Sequence, residues 1–296
     1  MTFDSITQII KITLIIGYSP IPIFITVLRC FNMQKILFQV FVIVSLCFAL
    51  WFALSKVDWV SLFKLDQVAD TTEKAMGTIF WDLYSKSALE ITSEAAIRPL
   101  DSIVTKICIS NGIDKRQITL HLIKSDEINA FALPNRHLVI NTGLIATSDH
   151  EAELCGVIGH EIAHMELNHV MKKLIKEVGL SALISMTTGG GAEQIKEIAR
   201  MLSSSAYDRN LEKEADIKAV EYLKNANINP AFFADFLYRL GESEPTNSQY
   251  FSWISTHPDS KERAAYIIAS IGQQNTNFSP VLSTDAWDQL KGFATN

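Results

Sequence analysis

The sequence predicts an α+β protein, mostly helical with one small sheet, behind an N-terminal anchor of one or two transmembrane helices. Three observations carry this. Uncharged apolar sequence is concentrated before residue 55. One stretch only, between Ile118 and Asn141, alternates apolar and polar residues as strands do. The remainder places its apolar residues at the spacing of a helix face.

The strongest apolar run is ILFQVFVIVSLCFALWFAL, Ile36 to Leu54, with no charge. It is long enough for a hydrocarbon core of about 30 Å. An earlier uncharged run, Ile12 to Leu28, contains Gly17, Pro20 and Pro22, so it spans or lies re-entrant. No small-residue cleavage site follows either run, which argues against a cleaved signal peptide. Lys11, Arg29 and Lys35 outweigh Lys56 and Lys64 slightly, placing the connection in the cytoplasm and the large domain outside it. The expected organisation is an anchor over 1–56, a linker over 57–72, a main domain over 73–272 and a C-terminal extension over 273–296.

Charge excludes one class of partner. With 26 Lys+Arg against 32 Asp+Glu, net −6, the chain lacks the basic face that nucleic acid requires. Cys30, Cys47, Cys108 and Cys155 show no paired spacing and read as small buried hydrophobes.

After the linker, helical spacing runs from Trp81 to Ile109 and stops near Asn111-Gly112. Strands follow over 118–123, 128–132 and 137–141, with a turn at Pro134-Asn135. Helical sequence resumes over Glu151 to His169, and Val178 to Met186 reads as core helix. The Gly-rich break Thr187 to Gly191 reads as a loop, because it lacks the Lys-Ser/Thr of a phosphate cradle.

Within the 151–169 helix lies Gly159-His160-Glu161-Ile162-Ala163-His164. Residues four apart share a helix face, so His160 and His164 present two imidazoles side by side, as a tetrahedral zinc requires. Glu161, one step round, is placed to take a proton from a water attacking a carbonyl. Zinc sites that hydrolyse keep three protein ligands and one open position. The third ligand is sought in Glu212-Lys213-Glu214-Ala215-Asp216: Glu212 and Asp216 share a face, Glu214 points elsewhere. One carboxylate would meet the metal and one would orient a ligand histidine.

These motifs resemble the membrane-associated gluzincin zinc metallopeptidases of the CAAX prenyl protease, HtpX, BepA and LoiP type. The resemblance rests on GHEIAH with EKEAD some fifty residues on; Asn129 to Pro134 with His137 to Leu144; Tyr207 and Arg209; and Thr256-His257-Pro258 with Arg263. It covers roughly residues 75 to 271. It is nearest the BepA/LoiP branch, because no span follows the HExxH motif; BepA's C-terminal repeat domain has no counterpart here.

The resemblance implies a zincin-like fold binding one Zn2+ through His160, His164 and Glu212, with Glu161 as general base and proton donor. Asp216 would steady a ligand histidine. His257 would lie by the open metal position, either stabilising an oxyanion or coordinating the zinc and blocking it. Asn129, Ala130 and Phe131 would line the strand edge where an extended peptide docks. Arg209 and Arg263 belong to the same pattern. His121, His137, His150 and His169 match no role in it and read as structural or solvated. The implied activity is endopeptidase action on misfolded or misassembled polypeptides at a lipid membrane, with the domain in the periplasm at a bacterial inner membrane. The alternative is a chaperone-like assembly factor whose zinc site His257 latches.

Overall fold

The computed structural model describes residues 35–49, 52, 65–187, 197–198, 206–242, 253, 255–272 and 278–295. The chain divides into two compact units, Met1–Asp66 and Gln67–Asn296. In the first, residues 35–49 are helical, and Ile36, Leu37, Phe38, Phe41, Ile43 and Leu46 are all exposed. Among the described residues no helix is long and apolar enough to cross a membrane. Residues 50–51 and 53–54 of the expected span, and the whole 12–28 run, lie outside the described residues.

Helix α1 (Leu65–Ser85) starts two residues before the second unit, which contains the rest of it, helix α2 (Glu94–Ser110), then strands β1 (Thr119–Ile123), β2 (Ala130–Leu133) and β3 (His137–Asn141). Helices α3 (Thr142–Thr147), α4 (Glu151–Glu166), α5 (His169–Val178) and α6 (Leu180–Thr187) follow. The described remainder contributes α7 (Arg209–Asn225), α8 (Ala231–Glu242), α9 (Ser260–Ile271) and α10 (Thr284–Thr295).

The sheet order is β1-β3-β2, with β1 parallel and β2 antiparallel to β3. Asn135 and Arg136, both left-handed (φ 59° and 58°), make the turn that returns β2 into β3. Helix α1 crosses that turn closely: a Cβ on Gly77 would lie 2.4 Å from Asn135 Cβ. One edge of the sheet is left to β2, and it faces α4.

Helix α4 is the structural centre. Every residue from Glu153 to Met165 is buried, so apolar residues occur on all its sides and its four polar side chains, Glu153, His160, Glu161 and His164, are buried with them. It packs on α7, α8 and β2. Close approach to α8 depends on Gly156, where a Cβ would fall 2.4 Å from Phe233 Cβ. Glu153, in the first turn where a carboxylate suits the helix dipole, receives Arg239 of α8 at 2.7 and 2.8 Å.

Several sequence expectations need correction. The 81–109 region is two helices, because residues 89–91 leave the helix to cover the open edge of β1; Ile91 N–H donates to Leu122 O at 2.8 Å and Lys124 N–H to Leu89 O at 2.8 Å. Strand β2 starts at Ala130, after Asn129. Residues 65–72, assigned to the linker, are helical from Leu65. The 151–169 helix ends at Glu166, and Asn168 (φ 56°) turns the chain before α5. Gly179 (φ 87°) likewise divides 178–186. The C-terminal stretch forms α10, which packs on α2 and α3 with Leu290 fully buried. Cys108 and Cys155 are buried free thiols, whereas Cys47 is exposed.

The outer sheet face holds a second polar cluster. His121 Nδ1 lies 2.7 Å from Glu90 Oε1 and its Nε2 lies 2.9 Å from His137 Nδ1, with Trp81 stacked on His121. Burial, then the neighbouring His121, brings His137 down to about 4 from 6.5. A folded value below the unfolded one means the unfolded chain takes up the proton first. The contribution of His137 to stability is therefore full above about pH 6.5 and is lost as pH falls toward 4. Discounted for solvent screening, the expected loss over that window is on the order of 1–2 kcal/mol. Urea unfolding of the parent and of His137→Gln at both ends of the window checks this; a parent whose stability does not fall more steeply than the variant's refutes it.

Candidate metal centre

Two turns of α4, the first turns of α7 and the segment before α9 meet at one buried point. One ligand atom each from His160, His164, Glu212 and His257 lies within 4.8 Å of the others. His160 and His164 face each other at 2.9 Å between their Nε2 atoms. The Glu212 carboxylate lies 3.2 Å from His164 Nε2 and 3.6 Å from His160 Nε2. His257 Nδ1 lies 3.1 Å from both Glu212 oxygens and 3.3 Å from His160 Nε2. All four side chains are buried.

Around these donors the polar groups are ordered by charge. Asp216, one helical turn beyond Glu212, lies 2.8 Å from His160 Nδ1, oblique to the ring N–H. Arg263 grips Asp216 with two hydrogen bonds, Nε to Oδ2 at 2.8 Å and Nη2 to Oδ1 at 2.7 Å. Its Nη1 reaches Glu212 Oε2 at 2.9 Å and the His257 carbonyl at 3.3 Å. Tyr266 Oη also donates to Asp216. Tyr207 stacks on His164 and Trp253 on His257, each with ring centroids 4.1 Å apart, fixing both ring planes.

Glu161 occupies the opposite wall. Its Oε2 accepts the Ala132 N–H of β2 at 3.0 Å. Its Oε1 is buried, lies 3.4 Å from His257 Nε2 and has no hydrogen-bond partner among the described residues. Because Ala132 spends its N–H on Glu161, that residue faces away from β3, and the outer edge of β2 borders the centre. Asn129 and Phe131 face β3 instead; the Asn129 carbonyl accepts from Asn141 N–H at 3.1 Å. Ala130 and Phe131 are buried in β2.

Protonation follows burial and neighbours. Burial lowers His160 to about 3, and it lowers His164 and His257 as well. Burial raises Glu161 well above the carboxylate range, helped by the charge of Glu212. Burial also pushes Glu212 upward, but His257 and Arg263 prevail and hold it well below that range. Asp216 is likewise held low by Arg263 and His160 against its burial. The centre thus offers neutral imidazoles and an ionised carboxylate, the donor set of a divalent zinc ion. The orphan Glu161 Oε1 is the group such an ion would leave facing a reacting water. The residues present fit zinc.

Of the expected site residues, His160, Glu161, His164, Glu212, Asp216, His257 and Arg263 converge here. Arg209 does not. It is exposed at the start of α7 and holds Asp259 at 2.8 Å, tying that helix to the segment carrying His257. Sequence reasoning gave no part in the centre to Trp253, Tyr266, Lys173 or His169. Lys173 is buried with its ammonium 4.2 Å from the Tyr207 ring centroid, and burial lowers it to about 8. His169, read as structural or solvated, is fully buried with Nδ1 3.1 Å from His164 Nδ1. Its signal in sequence was only a histidine five places beyond His164.

A small sheet with its edge strand laid along a helix that carries paired imidazoles, faced by an acid from a second helix, defines a metallopeptidase architecture. The chain belongs to peptidase family M48, whose model matches residues 96–270. Relatives include metalloprotease LoiP of Escherichia coli, 28% identical over 62% of this chain and 77% of LoiP. Bovine mitochondrial metalloendopeptidase OMA1 is 29% identical over 55% of this chain and 34% of its own length. The beta-barrel assembly-enhancing protease of Escherichia coli is 23% identical over 70% of this chain. The chain spans less than half the length of these last two relatives.

Proposed function

We propose that this protein is a zinc-dependent endopeptidase that cleaves misfolded or misassembled polypeptides beside a membrane. The observation that carries the reading is the four-donor cluster with Glu161 Oε1 left unpartnered beside it. His160, His164 and Glu212 hold one zinc ion per chain. When bound, that ion supplies Lewis acidity toward the scissile carbonyl and acidifies water. Glu161, pinned by the Ala132 amide, takes the proton from the attacking water and returns it to the departing amine. Asp216, held by Arg263, keeps the His160 ring turned to the metal. The substrate extends along the β2 edge, where Ala130 offers its main chain outward, and Asn129 and Phe131, whose main chains face β3, flank it.

Residues 1–56 serve as the anchor, in contact with lipid; the exposed apolar side chains of residues 36–48 support this. By the resemblance, the domain faces the periplasm of a bacterial inner membrane. Elemental analysis gives the direct test: one zinc per purified chain, with cleavage of an unfolded protein abolished by a chelator and restored by zinc. A chain without zinc, or one whose cleavage ignores the chelator, sinks the reading.

A second reading, an assembly factor with a latched site, draws on His257. Its ring nitrogen lies among the zinc donors rather than beyond them, so a fourth protein ligand closes the position a substrate needs. We take the described conformation to be the latched state of the peptidase. His257→Ala is then expected to raise cleavage by about tenfold, the effect of removing a competing closed state worth about 1.4 kcal/mol. A fall in rate would instead make His257 a helper of the reaction.

A further inference from the structure

We propose that His169 and Glu214 form a positioning relay for His164, matching the direct support that Asp216 gives His160. The inference rests on the zinc reading of the centre.

The geometry is specific. His169 is fully buried, with Nδ1 3.1 Å from His164 Nδ1 and Nε2 3.3 Å from Glu214 Oε2. His164 turns Nε2 toward His160 and Glu212, so that nitrogen offers the lone pair. The ring's single proton then sits on Nδ1 and donates to His169 Nδ1. That nitrogen must accept, so the His169 proton sits on Nε2 and donates to the Glu214 carboxylate. One proton on each neutral ring satisfies both contacts, and no other assignment does so while leaving His164 Nε2 free. The result is a chain from carboxylate through two imidazoles to the metal position. Such support fixes the tautomer and orientation of a ligand histidine and strengthens it as a donor.

The contact exists only because the chain breaks. On a continuous helix, residues five apart point about 140° away from each other. Helix α4 stops at Glu166, and Asn168 adopts the left-handed conformation (φ 56°, ψ 29°) before α5 begins at His169. That turn folds His169 back beneath His164, with the two rings at 70° and their centroids 5.0 Å apart. Glu214 comes from α7, two residues past Glu212 and two before Asp216. Its side chain is 54% exposed, so the relay runs from the surface to the buried centre.

The test measures zinc affinity by chelator competition, not cleavage. His169→Phe keeps a ring under His164 and deletes both nitrogens; affinity is expected to fall by about 10- to 100-fold. His169→Gln restores an oxygen acceptor for His164 Nδ1–H and is expected to recover part of the loss. Glu214→Gln, on the surface and tolerant in folding, is expected to cost about two- to fivefold. Once His169 is Phe, the same change is expected to cost nothing. Cobalt-loaded protein should show an altered visible spectrum in His169→Phe. A folded His169→Phe that binds zinc within twofold of the parent overturns the relay. So does a Glu214→Gln effect of equal size with and without His169. If His169→Phe fails to fold, Glu214→Gln decides alone, and unchanged affinity overturns the proposal. A parent chain that binds no zinc overturns the zinc reading and the relay together.

Discussion

Glutamine in place of Glu161 is expected to lower kcat/KM on an unfolded protein by about 10²- to 10⁴-fold, with zinc content unchanged. The substitution is nearly isosteric. A glutamine carbonyl can still accept the Ala132 N–H that holds Oε2 at 3.0 Å, so the side chain keeps its place between β2 and the metal centre. What is lost is the Oε1 oxygen, which is buried beside the donors, has no hydrogen-bond partner among the described residues and lies 3.4 Å from His257 Nε2. Burial and the charge of Glu212 hold the Glu161 proton on when no cation is present. With zinc held by His160, His164 and Glu212, the added positive charge would favour the ionised form of Glu161, which could then act as base. Comparing turnover and metal content of parent and variant checks the claim. A variant that keeps zinc and cleaves at the parent's rate refutes the role of Glu161.

Loss of Arg263 should cost the most in stability. Arg263→Leu is expected to destabilise the metal-free protein by about 3–5 kcal/mol, because two buried carboxylates lose their cation. Arg263 is 2% exposed and is shared between Asp216 and Glu212, with a further bond to the His257 carbonyl. Burial raises both carboxyls, and Arg263 is foremost among the groups holding Asp216 down and, after His257, Glu212. A carboxyl held low in the folded state stabilises it above its unfolded value, and that contribution is lost as pH falls. The gap between parent and variant should therefore narrow below about pH 4. Urea unfolding in the presence of a chelator, at neutral and acid pH, measures both effects. A variant within 1 kcal/mol of the parent at neutral pH would show that Arg263 is not the balancing charge.

What the amino-acid sequence determined was local. The four-residue spacing of His160 and His164 sets their imidazoles on one helix face whatever surrounds them, because helical periodicity is fixed by the backbone. Alternation over 118–141 likewise fixed the strands, and the acidic turn of Glu212 and Asp216 fixed a second face. The tertiary structure decided how these faces combine. Packing of α4 against α7 brings Glu212 to both imidazoles and Asp216 to His160. His257, 97 residues beyond His160, enters the donors only through the segment that Arg263 and Trp253 hold. The contact of His169 with His164 was not legible because it is set by one left-handed residue, and a periodic reading carries the helix straight through Asn168. The break before α2 was missed for the same reason: residues 89–91 have helical neighbours, yet the unpaired hydrogen bonds of β1 outweigh local propensity. Spacing along the chain is a local quantity; convergence on one cation depends on long-range packing that no single segment encodes.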